Sequence, residues 1–167
     1  LYLSDMRRVL ATVIAFGACV TVLQADPSKE VIVISGGVSL SKWENYKPQP
    51  HDRWWMNFVR AARIRIQQVR SEDPEAQITW LVYKPAYLRR ATEEGKDLVS
   101  LIDSVRDAYR VKRVYFSQTS ELVGYLNTGR NRETVKISDL EYFGHSNKAC
   151  WMFDYSNYID SASKVWF

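Results

Sequence analysis

The chain of 167 residues holds only two histidines and two cysteines, and one of each stands close together near its far end. They fall in and just after Asp139-Leu-Glu-Tyr-Phe-Gly-His-Ser146, where His145 is followed by Ser146, Asn147 and Cys150. An imidazole changes charge near neutral pH and can take or give a proton, so a histidine in the right place is a candidate for acid–base work. The run before His145 reads as a buried strand that delivers it to a sheet's carboxyl end. In parallel α/β sheets ligands and chemistry gather in the crevice outside those ends. The competing reading, of equal weight, is a histidine hydrogen-bonded in its loop for structural reasons. Cys150 sits among Ala149, Trp151, Met152 and Phe153. There a free cysteine reads first as a small hydrophobe, and only secondarily as a reactive thiol. No set of cysteines and histidines has the spacing of a zinc site, and no cofactor is expected.

The elements that must position His145 follow from periodicity. Val31-Ile-Val-Ile-Ser35 is a continuous β-branched run, the mark of a parallel strand covered on both faces, and it ends in Gly36-Gly37. A polar loop, residues 39–51, leads to a helix expected from Asp52 as N-cap to about Arg70, with Trp55, Val59, Ala62, Ile66 and Val69 on its buried stripe. Trp54 stays undecided between core and an exposed aromatic platform, and His51 reads as a helix-entry residue. Ile78–Tyr83 is a second strand, residues 93–110 a second helix, and Val111–Phe116 a third strand. A short helix over 117–127, capped by Ser117 or Thr119 with Glu121 in its first turn, precedes the basic loop 129–132. The fourth strand covers about Lys136 to Phe143, with Asp139 and Glu141 near its exposed start.

This β-α-β-α-β-α-β order predicts an α/β three-layer sandwich with a mainly parallel sheet, caspase-like or Rossmann-like. Right-handed crossovers bring Ser35–Gly37, Lys84, Ser117 and Gly144–Ser146 to one edge. Gly36, Gly37, Gly144, Ser146 and Asn147 are thus the candidates for a pocket beside His145. A dinucleotide fingerprint is rejected, because a long loop with two prolines separates Gly36-Gly37 from the next helix.

The N-terminal end has its own chemistry. Residues 1–5 precede the first methionine and read as an upstream artefact; Met6-Arg-Arg and the apolar run Val9 to Val22 read as a signal peptide cleaved after Ala25. The run is too short for a spanning helix, so no transmembrane segment is expected after its removal. Phe16-Gly-Ala-Cys19 offers a lipoprotein box instead, but the apolar Val20–Leu23 beyond it argues against that. The mature part, 26–167, is expected to be the N-terminal portion of one domain, secreted or periplasmic, with Cys150 its one thiol. The formal charge of +4 is spread along the chain, which gives little support to nucleic-acid binding. Oligomeric state is left open.

Ile34-Ser-Gly-Gly37, then Trp43, Asn45 and Tyr46, then His51-Asp-Arg-Trp-Trp-Met-Asn-Phe58 resembles the opening of legumain-like peptidases. The strand ending at His145 is similar to the one that carries the catalytic histidine in the wider caspase-like clan. The resemblance implies a cysteine peptidase acting on peptide or protein substrates, with His145 as general base and acid. It further implies backbone N–H groups near Gly144 and Ser146 as part of an oxyanion hole. Two departures stand out: Ser146 occupies the place where the family has glycine, and Cys150 lies too near His145 to end a neighbouring parallel strand. The nucleophile is therefore expected beyond Phe167. The alternative is a non-catalytic α/β module of the cell envelope that binds a peptide or glycan in the same crevice.

Overall fold

The computed structural model describes residues 28–37, 54–146, 150–153 and the strand 164–166. The leader 6–25, residues 1–5, Cys19, His51, Asp52 and Asn147 lie outside the described residues. Four parallel strands form the main sheet in the order β3-β2-β1-β4: β1 (Ser28–Ser35), β2 (Gln77–Tyr83), β3 (Lys112–Phe116) and β4 (Val135–Phe143). The fold is the α/β sandwich that the strand–helix alternation predicts.

The uninterrupted apolar run of β1 is explained by its two covered faces. Val31 and Val33 point into one core with Trp80, Val82 and the helix α1 (Asn57–Glu72), which contributes Val59, Ala62, Ile66 and Val69. Ile32 and Ile34 point into the other, with Leu81, Phe116 and the helix α4 (Thr119–Thr128), through Leu122 and Tyr125. Alternate side chains of one strand thus anchor both outer layers.

Four expectations about the elements are corrected. The helix expected over 93–110 is α3 (Leu98–Tyr109), and a helix that was not expected, α2 (Lys84–Glu94), precedes it. Gly95 ends α2 in the left-handed region at φ 62°, and the Asp97 carboxylate accepts from the Ser100 amide to start α3. Pro85 in the first turn of α2 is compatible with a helix because no amide is needed there. Next, α1 begins at Asn57 with Met56 at the cap, in place of Asp52. In α4, Gln118 is the cap rather than Ser117 or Thr119, and it forms a reciprocal capping box with Glu121. Lastly, the strand before His145 is not buried. Among the described residues β4 pairs on one side only, so Lys136, Ser138, Asp139 and Leu140 are exposed.

Candidate functional site at the carboxyl edge of the sheet

β1 lies between β2 and β4, so the chain leaves it in opposite directions across the sheet and a switch point falls between the ends of β1 and β4. The register sets Ser35 beside both Val82 and Phe143. Gly36-Gly37 and Gly144-His145 therefore emerge next to each other, as the crossover argument requires.

What fills this crevice is the chain itself. After Gly144, a small antiparallel sheet of β5 (His145–Ser146), β6 (Cys150–Met152) and β7 (Lys164–Trp166) folds over the strand ends, with His145 opposite Met152 and Ser146 opposite Trp151. The Gly37 amide donates to the Phe153 carbonyl at 2.7 Å, and the Gly36 amide to the Phe143 carbonyl at 2.8 Å. The two glycines are placed for close approach, but by other parts of the chain. A Cβ on Gly37 would strike the Phe153 carbonyl oxygen and lie 2.6 Å from Ala86 Cβ. Tyr142 occupies the centre, its ring stacked on Trp151 with centroids 4.9 Å apart. Its hydroxyl lies 2.9 Å from the carbonyls of both His145 and Met152 and shares one proton between them. That hydroxyl would be 2.6 Å from a Cβ on Gly36 and closer still to one on Gly144.

Beneath the turn, Tyr87 is fully buried and donates to the Gly36 carbonyl at 2.9 Å. Burial pushes its hydroxyl well above the ordinary value, so it stays a donor. The buried Ser35 hydroxyl receives Trp80 Nε1–H at 2.9 Å and donates to the Phe58 carbonyl at 3.2 Å, which ties the end of β1 to the start of α1.

His145 is half-buried, its imidazole edge-on to the Phe58 ring at 4.9 Å. Phe58 of α1 and the turn at Gly144 flank it from two elements. The Cys150 thiol is fully buried, the setting of a small hydrophobe and not of an accessible nucleophile. Glu141, one of the acids near the histidine, is engaged by Arg65 of α1. Trp55 joins the core, whereas Trp54 is 41% exposed beneath Arg60, whose guanidinium lies 5.6 Å from its ring centroid. Among the described residues, no three His, Cys, Asp or Glu side chains gather as a metal site needs, and no helix is long and apolar enough to cross a membrane.

A second polar cluster, at the opposite edge, escaped the sequence reading. Glu30 of β1 is fully buried, yet its carboxylate accepts from Thr79 Oγ1 at 2.6 Å, Tyr125 Oη at 2.9 Å, Arg130 Nε at 2.9 Å and an Arg132 terminal nitrogen at 2.6 Å. Burial raises the pKa of such a group, but these bonds outweigh it and hold it at about 2. The two arginines of the loop after α4 neutralise an acid about 100 residues earlier.

Comparison with protein-family models, curated proteins and solved structures finds no match to this chain.

Proposed function

We propose that the chain carries the histidine half of an exported, caspase- or legumain-like cysteine peptidase site. His145 serves as general base and acid, and the thiol comes from outside this sequence. The observation that supports this reading is the position of β4. His145 follows an edge strand whose outer side has no partner among the described residues. A further parallel strand laid there would bring its own carboxyl end beside the imidazole, and a cysteine at that end would meet a ready proton acceptor. Neither cysteine of this sequence fills the role: Cys150 is buried, and Cys19 belongs to the expected leader.

The filled crevice supports a second reading. With Tyr142 and the Phe153 carbonyl against the two glycines and Trp151 stacked on Tyr142, the strand ends have the build of a packed scaffold, which fits a non-catalytic envelope module whose peptide or glycan binds elsewhere than in this crevice. A thiol-reactive peptide probe separates the two when applied to the protein as its gene encodes it, without the leader. Labelling that persists in Cys150→Ser and collapses in His145→Ala is the result expected of the peptidase. Absent labelling, or labelling indifferent to His145→Ala, would overturn it in favour of the binding module.

A further inference from the structure

Helices α1 and α3 run side by side over one face of the sheet and leave a groove of about 370 Å³ between them, within the range of small-molecule sites, roughly 300–1,000 Å³. Its floor is apolar, made by Trp55 and Val59 from α1 and by Leu101 and Val105 from α3. Leu101 is 47% exposed, so its side chain stands in the groove wall with one flank uncovered.

One end of the groove is different. Arg63 donates through Nε to the Tyr109 hydroxyl at 3.2 Å, and that hydroxyl donates to Gln67 Oε1 at 3.4 Å. The relay fixes the guanidinium while its terminal nitrogens meet no acceptor among the described residues. Helix α1 is basic over this stretch. Before its last residue, Glu72, helix α1 carries four arginines and no acid. The acids of α3 are engaged elsewhere: Asp103 with Arg113 at 2.8 Å, and Asp107 with Arg106 at 2.8 Å. An oriented guanidinium with two parallel N–H groups to offer is matched to a carboxylate.

We propose that the groove between α1 and α3 binds a small apolar carboxylate, with its hydrocarbon body on Trp55, Val59 and Val105 and its charged end on Arg63. The groove shares no lining residue with the strand-end site and does not depend on its function.

The test is a titration of the full chain with octanoate, 1-octanol and octylamine, followed through the backbone amide shifts of α1 and α3. Octanoate is expected to move both helices saturably. Arg63→Gln and Leu101→Glu are each expected to weaken it about tenfold or more, as loss of a charge-assisted bond or gain of a like charge implies. Both substitutions fall at exposed positions, and thermal melts check that the fold survives. If one variant unfolds, the other still decides. The proposal is overturned if octanoate moves neither helix at millimolar concentration. It is equally overturned if octanol or octylamine binds as tightly, or if the folded variants bind octanoate unchanged.

Discussion

At the scale of single residues, the strand-end glycines show how a sequence signal can be right about geometry and silent about its purpose. Gly36-Gly37 after an apolar strand announces a close approach, and the structure has one, but the approaching atoms are the Phe153 carbonyl and the Tyr142 hydroxyl. That dependence is measurable. In Gly37→Ala the added methyl meets a backbone carbonyl and Ala86, neither of which is a flexible side-chain end. Overpacking of this kind costs about 1–3 kcal/mol, to be read as a lower urea midpoint with an unchanged slope. An unaltered midpoint would mean that the lid formed by 150–153 is not held against β1. His145 was visible for an equally simple reason: a rare residue type directly after an apolar run. Its neighbour Phe58 lies 87 residues earlier, and no local pattern could have paired them.

At the scale of elements, the strands were the legible part, because β-branched runs bounded by polar turns leave few alternatives. The helices were less so: α2 over Lys84–Glu94 was not expected, and Gly95 and Asp97 act as the stop and start signals that separate it from α3. Two substitutions test that boundary. A side chain at Gly95 would meet open space, so Gly95→Ala isolates the backbone cost of φ 62°, about 1 kcal/mol. Asp97→Ala removes the cap of α3 and should lower the denaturation midpoint as well. Chemical denaturation of both single variants and the double variant reads the effects. If Gly95→Ala were neutral or stabilising, the kink between α2 and α3 would not be the ground state.

For the whole molecule, the Glu30 cluster is the feature that couples the layers to solution conditions. The unfolded carboxyl titrates near 4.5 and the folded one near 2, so the folded state holds the charged form more tightly. The stability this supplies is fully present above about pH 4.5 and is lost as pH falls toward 2; at full strength it amounts to about 3 kcal/mol. Glu30→Gln should abolish that slope. It should also destabilise the protein at neutral pH by about 3–5 kcal/mol, because Arg130 and Arg132 lose their counter-charge. Urea midpoints across pH 2–6 give both numbers, and a variant that keeps the wild-type acid slope would show that other carboxylates set it. No periodicity announced this cluster. A lone glutamate at the start of a strand and a short basic loop each look like ordinary surface, and only the parallel register of β1 with β4 brings them together.

That register also carries a consequence for the order in which a growing chain can become a protein. β1 is an inner strand and precedes β2 and β3 in the chain, but it reaches its partner β4 across a separation of about 100 residues. Until the loop bearing Arg130 and Arg132 is made, a sheet of β1, β2 and β3 has Thr79 beside Glu30 but no cation. Covering that carboxylate without its arginines is disfavoured, so the layer over it closes only when they arrive. The ion cluster thus ties the covering of β1 to the arrival of β4 and the loop before it. Closure then becomes one late, long-range event, the kind that makes folding slow and leaves apolar strands exposed meanwhile.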